Sequence, residues 1–318
     1  MRMVACDLDG TIVRADGTVS RRTKEALTAC EKQGVEVVFV TGRPPRWVAP
    51  IASLTGNRGV ALCGNGAAVL DLSTGVVTES HPLSIIDLLD AVARLRVRLP
   101  GAVFAIETMT GYRREPAFLP GHAEGAGEEI QVGALADLLI DMPPVLKVLV
   151  KLAAPYDRMR ADDMLAAARA AVAGLAEAVH SNPDGGMLEL SAVGVTKSAA
   201  LSRLARKLGV SPRDVVAFGD MPNDVDMLEW AGDGYAMEGG HRDAIRAAGQ
   251  TAPPCEEDGV AQVLERLLFP AKAKAKAKKA PATRPVGPPP AQRLDLSDAA
   301  PTAAGPVTVL RPDQTFSR

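Results

Sequence analysis

Three stretches of the chain are apolar with no polar alternation: Met3–Cys6, VEVVFV at 35–40 and DVVAF at 214–218. A strand with one face in water alternates apolar and polar residues, whereas one covered on both faces does not. GVALC at 59–63 reads the same way. Helical spacing fills the intervals. In SRRTKEALTACEKQG, Ser20 is placed to cap a helix, Ala26, Leu27 and Cys30 share a face, and Gly34 ends it. PPRWVAPIASL (44–54), KSAALSRLARKLG (197–209) and NDVDMLEWAG (223–232) predict further helices. This alternation predicts an α/β fold, a mostly parallel sheet covered by helices.

The middle of the chain breaks the pattern. Residues 83–184 predict a helix at 85–98, a strand at 102–107, a Gly- and Glu-rich loop at 120–129, a strand at 145–153, a helix at 157–173 and a strand at 177–181. They read as an α+β unit inserted between two halves of the core, 1–82 and 185–269. MLELS (187–191) is the strand leading back. From 270 to 318 the sequence turns to Lys/Ala/Pro low complexity and then to no sustained period. Such a segment cannot bury enough apolar surface to offset its ordering entropy, and a disordered tail is expected. Its lysines offer a contact for nucleic acid or an acidic partner, although a solvated tail is the simpler expectation.

Bulk properties narrow the function. A net charge of −2 gives no global attraction to nucleic acid or an anionic membrane. No apolar run reaches the ~18 residues of a membrane span, and no leader pattern is visible, so a cytoplasmic protein is expected. Cys6, Cys30, Cys63 and Cys255 lack CxxC spacing and read as small buried hydrophobes. His81, His122, His180 and His241 show no ligand spacing and read as isolated or satisfied side chains.

The chemistry lies at strand ends. In VACDLDGTIV (4–13) an apolar run stops at two carboxylates, Asp7 and Asp9. Residues i and i+2 of a strand point the same way, so both can face one site at the carboxyl edge of the sheet, where ligands bind in open α/β folds. Adjacent carboxylates need a shared proton or a cation. VVAFGDMPND (215–224) ends another apolar run with Asp220, Asn223 and Asp224, and hard oxygen donors suit Mg²⁺. VTGR (40–43) brings the Thr41 hydroxyl and backbone N–H groups to the same edge, and Lys197 supplies a positive charge. The set suits phosphoryl transfer: Asp7 as nucleophile, Asp9 as acid and base. Phosphate-monoester hydrolysis needs rate enhancements reaching ~10²¹. Acid–base help supplies ~10²–10⁴ of this, so positioning and charge stabilisation must supply the rest.

DLDGT (7–11), VTGR, Lys197 in GVTKSAAL and GDMPNDVDM (219–227) resemble the four motifs of the haloacid dehalogenase-like (HAD) superfamily. The insertion resembles the type IIB cap of the Cof-like phosphatases, as do CGNGA (63–67) and GGMLELSAVGVTK (185–197). The resemblance implies a Rossmann-like core, a mobile cap and an Mg²⁺-dependent phosphatase acting on a small phosphorylated metabolite such as a sugar phosphate. By the same resemblance the Asp7 side chain, the Asp9 carbonyl and the Asp220 side chain bind Mg²⁺, with Asp224 supporting. Thr41, Gly42 and Lys197 meet the phosphate. Asn65 and Asn223 line the site, and Arg43 either faces substrate or cap or makes a surface salt bridge. In the cap, Arg113, Arg114 and the 120–129 loop are candidate contacts. Two other readings compete: a phosphomutase of the phosphomannomutase type, and a regulatory protein that binds a phosphometabolite without turning it over.

Overall fold

The computed structural model describes residues 1–109, 111–119, 130–155, 157, 159–181 and 186–270. The expected 120–129 loop and all but the first residue of the expected tail lie outside them. In chain order, β1 (Met3–Cys6), α1 (Arg21–Lys32), β2 (Glu36–Val40), α2 (Pro45–Thr55), β3 (Val60–Cys63), β4 (Ala68–Asp71) and β5 (Val76–Ser80) come first. Then follow α3 (Ile85–Arg98), β6 (Ala102–Thr108), β7 (Tyr112–Arg114), β8 (Ile130–Val132), α4 (Leu135–Leu138), β9 (Val145–Leu152), α5 (Ala161–Val172), β10 (Glu177–Val179) and β11 (Met187–Ser191). The chain closes with α6 (Lys197–Lys207), β12 (Val215–Gly219), α7 (Val225–Trp230), β13 (Asp233–Met237), α8 (Arg242–Ala247), β14 (Gln250–Ala252) and α9 (Gly259–Leu268).

The first sheet has the order β14-β13-β12-β1-β2-β3-β4-β5. Its strands are parallel from β14 to β3 and antiparallel through β4 and β5. The apolar runs are covered on both faces, as their composition requires. Val4, Cys6, Phe39 and Phe218 pack with α1 and α9 through Leu27, Cys30, Val263 and Leu264. Met3, Ala5, Val38 and Ala217 pack on the other face with Leu201, Leu228 and Ala244 of α6, α7 and α8. Ser20 caps α1, its hydroxyl accepting from the Thr23 N–H at 3.0 Å. The β4–β5 pair was not expected; β5 is largely exposed and only weakly apolar, so its composition carries little strand signal.

The second sheet has the order β10-β11-β9-β6-β7-β8, antiparallel except for β7 with β8. It includes β11, which corrects the expected boundary at 184: this unit continues to the end of β11. The reason is packing, because Leu188 and Leu190 join Phe104, Ile106, Val148 and Val150 under α3 and α5. With a side-chain period of two, the opposite face carries Ala105, Glu107, Lys147, Leu149 and Glu189. On that face Glu107, Lys147 and Glu189 reach the core, while Ala105 and Leu149 pack with Tyr112 and Phe118 of the same unit.

Candidate active site

The chain runs β1 to β3 outward on one side of β1 and β12 to β14 outward on the other. The strand order therefore reverses between β1 and β12, the switch point at which α/β sheets leave a crevice. Cys6 is in register with Phe218 on one side and Phe39 on the other. The next residues of the three strands, Asp7, Gly219–Asp220 and Val40–Thr41, therefore meet at one edge. The Asp7 N–H donates to the Phe218 carbonyl at 3.0 Å, which fixes where the nucleophile candidate leaves the strand.

Asp7, Asp220 and Asp224 form a buried carboxylate cluster, with one oxygen of each within 4.8 Å of the others. Lys197, the first residue of α6, is buried among them. Its ammonium donates to Asp7 Oδ1 and to Asp224 Oδ1, each at 2.6 Å. Thr196 sets that position as the α6 cap, its hydroxyl accepting from the Ala199 N–H. Asp224 Oδ2 accepts the N–H groups of Asp220 and Met221 at 3.1 and 3.0 Å. Both Asp224 oxygens are thus engaged within the protein, and the residue holds the lysine and the Asp220 loop in place. Asp7 Oδ2 and Asp220 Oδ2 make no hydrogen bond among the described residues. Gly10 turns the chain here with φ of 76°, and a side chain would collide with the Asp220 carboxylate.

Burial pushes the Asp7 carboxyl well above its usual range; Lys197 opposes this, while Asp224, Asp220 and Asp9 add to it. Burial and then Asp224 push Asp220 up to about 7. Burial would lower the Lys197 ammonium, but Asp224 and Asp7 more than offset it and hold it raised. Three carboxylates against one ammonium leave unbalanced negative charge in a dry site. The donors are hard oxygens, so the cluster fits a divalent cation of the Mg²⁺ kind.

Asp9 stands apart, its side chain 58% exposed. Arg43 holds it with two parallel hydrogen bonds, Nε to Oδ2 at 2.8 Å and Nη2 to Oδ1 at 2.5 Å. Thr41 is buried, and its Oγ1 accepts the Arg43 N–H, which leaves the hydroxyl proton available to a ligand. Asn65 sits at positive φ between two glycines. It links Asn223, whose Nδ2 donates to Asn65 Oδ1, to Glu189 of the second sheet, which accepts from Asn65 Nδ2. Beside Lys197 and Asn223 a cavity of about 350 Å³ opens between the two units.

Sequence reasoning missed the docking residues. Lys147 donates to the Gly42 carbonyl at 2.6 Å and to Glu189 at 2.7 Å. Glu107, beside it on β6, pairs with Arg46 of α2 at 2.6 Å. Burial favours a neutral Glu189, yet Lys147 and the hydrogen bonds from Ser181 and Asn65 outweigh it and hold the carboxyl below its usual range. The available signal was the charge inside otherwise apolar strands, Lys147 and Lys151 in VLKVLVKL and Glu189 in MLELS. Arg113 is a structural residue of its own unit, donating to the Leu138 and Ile140 carbonyls.

These features place buried carboxylates at the carboxyl edge of a mostly parallel α/β sheet, beside an inserted α+β unit. A sequence model of the haloacid dehalogenase-like hydrolases matches residues 4–264. The chain belongs to that family and is a phosphoric monoester hydrolase. It is 28% identical over 276 residues to an HMP-PP phosphatase of Yersinia enterocolitica, covering 84% of this chain and 95% of that one. It is 26% identical over 258 residues to the pyridoxal phosphate phosphatase YbhA of Escherichia coli, covering 77% and 90%. A solved sugar phosphatase of HAD subclass IIB shares the fold, with a TM-score of 0.68 at 18% identity, covering 84% and 99%. Among the described residues no helix is long and apolar enough to cross a membrane.

Proposed function

We propose that this protein hydrolyses a small phosphorylated metabolite, using Asp7 as nucleophile. The observation that carries the reading is Asp7 itself: buried at the sheet's switch point, held by Lys197 through one oxygen, with the other oxygen uncommitted. The relatives named for HMP-PP and pyridoxal phosphate support a small substrate, as does the inserted cap over the site.

The first step is attack of Asp7 on phosphorus. The ester P–O bond breaks, and the leaving oxygen takes a proton from Asp9. In the second step Asp9 accepts a proton from water as that water attacks the phosphorus, freeing phosphate and the Asp7 carboxylate. Lys197 offsets charge between the attacking carboxylate and the phosphate, with the Thr41 hydroxyl as a further donor. Asp7 and Asp220, together with the Asp9 carbonyl, would hold Mg²⁺, with Asp224 steadying them. Bound there, Mg²⁺ would supply further neutralisation of the phosphate oxygens. Arg43 occupies both oxygens of Asp9, so proton delivery needs that pair to open, and an incoming phosphate dianion competes for the guanidinium.

A panel of phosphorylated metabolites with Mg²⁺, scored by phosphate release, tests the reading. Release that is lost with excess chelator and in Asp7→Asn supports it. Conversion of one sugar phosphate to its isomer without release would replace it with the mutase reading. Binding without turnover of any member would replace it with the regulatory one.

A further inference from the structure

Two histidines that look unrelated in sequence converge. His180 follows β10 in the cap, and His241 precedes α8 in the core, 61 positions further on. Asp162, near the start of α5, lies between them. Asp162 Oδ1 is 3.0 Å from His180 Nε2 and 3.3 Å from His241 Nε2. The two rings stand at 86° with centroids 5.6 Å apart, edge to face rather than stacked. One donor atom from each of the three residues lies within 4.8 Å of the others.

We propose that Asp162, His180 and His241 form a second metal site, for a borderline ion of the Zn²⁺ class, that joins the cap to the core. A tetrahedral ion with ligands at about 2.0–2.1 Å separates its donor atoms by about 3.3 Å, close to both distances here. Two imidazole nitrogens and one carboxylate leave a fourth position for water. Nitrogen donors set this site apart from the all-oxygen cluster at Asp7, and they disfavour Mg²⁺. His180 is fully buried and, among the described residues, its Nδ1 has no partner, so the ring's polar contact there is through the nitrogen that faces Asp162.

His241 shows how the ion would be accommodated. Its Nδ1 accepts the Asp243 N–H at 3.2 Å, which puts the ring proton on Nε2. Metal at Nε2 moves that proton to Nδ1, where Asp243 Oδ2 lies 3.8 Å away. That proton displaces the Asp243 N–H from Nδ1, and Asp243 Oδ2 has to close in from 3.8 Å before it accepts from Nδ1 and completes a carboxylate–imidazole–metal chain of the kind that orients metal-bound histidines. Arg242 already holds the other oxygen of Asp162, Oδ2, at 3.3 Å.

The test uses the untagged full-length protein in excess Mg²⁺, titrated with Zn²⁺ against a chromophoric chelator. Variants are Asp162→Asn and His241→Asn; the new Asn keeps an oxygen that can cap α8. Asp7→Asn serves as the control for the acidic cluster. The expected result is one tight Zn²⁺ per chain in the wild type and in Asp7→Asn. Loss of an outer-shell partner alone costs 10–100-fold, so loss of a ligand should weaken binding by roughly 100-fold or more in the other two variants. Zn²⁺ should also raise the melting temperature of the wild type and leave that of folded His241→Asn unchanged. Absence of a tight equivalent in the wild type overturns the proposal. So does a tight equivalent retained in either cluster variant, or one lost in Asp7→Asn.

Discussion

At the residue scale the site is defined by charge that the protein alone does not balance. Asp7 and Asp220 bind protons more tightly in the folded chain than in the unfolded one, whose aspartates titrate near 3.9. Above that value unfolding therefore releases protons, and metal-free stability falls as pH rises until the folded groups ionise. Mg²⁺ competes with those protons, so its stabilising effect should be larger at pH 8 than at pH 5; melting curves with and without Mg²⁺ at both pH values check this, and equal shifts would count against a metal at these carboxylates. Replacing the acid–base candidate, Asp9→Asn, should lower turnover by about 10²–10⁴-fold with little change in stability, because the side chain is mostly exposed. These residues were legible because each ends an apolar run or begins a helix, and strand order alone brings such ends together. The Arg43–Asp9 pair was not legible, since nothing in the spacing of VTGR says which way a long, flexible side chain will turn.

At the element scale the cap docks through polar groups buried among apolar strands. Lys147→Met leaves Glu189 buried without its cation, which should cost about 3–5 kcal/mol by chemical denaturation. Adding Glu189→Gln should recover part of that loss; a double variant as unstable as the sum of the singles would mean the two act independently. Helices α1, α2, α3, α5, α6 and α7 and strands β1, β2, β3 and β12 followed from periodicity and the Ser20 cap from side-chain chemistry, whereas α8, α9, β13 and the Thr196 cap were not expected. The boundary of the cap did not follow. MLELS has the composition of either sheet, and only its pairing with β9 and β10 assigns it. Likewise the Asp162–His180–His241 cluster has no sequence period, because its members come from separate elements of two packed units.

At the scale of the whole molecule, the parallel sheet fixes Asp7, the proposed nucleophile, and the inserted unit covers it. All the described elements end by Leu268, and the family match ends at 264. Removing 271–318 should therefore leave the melting temperature and phosphate release unchanged, as assayed on the truncated and full chains side by side. The central claim is that phosphate passes through Asp7. It is tested most directly by acid-quenching the Asp9→Asn variant with a turned-over substrate and Mg²⁺, then locating phosphate on the N-terminal peptide by mass spectrometry. The account predicts a phosphoryl group on Asp7 that builds up in Asp9→Asn, and neither that group nor phosphate release in Asp7→Asn. Phosphate release persisting in Asp7→Asn, with no covalent species trapped in either variant, would contradict it.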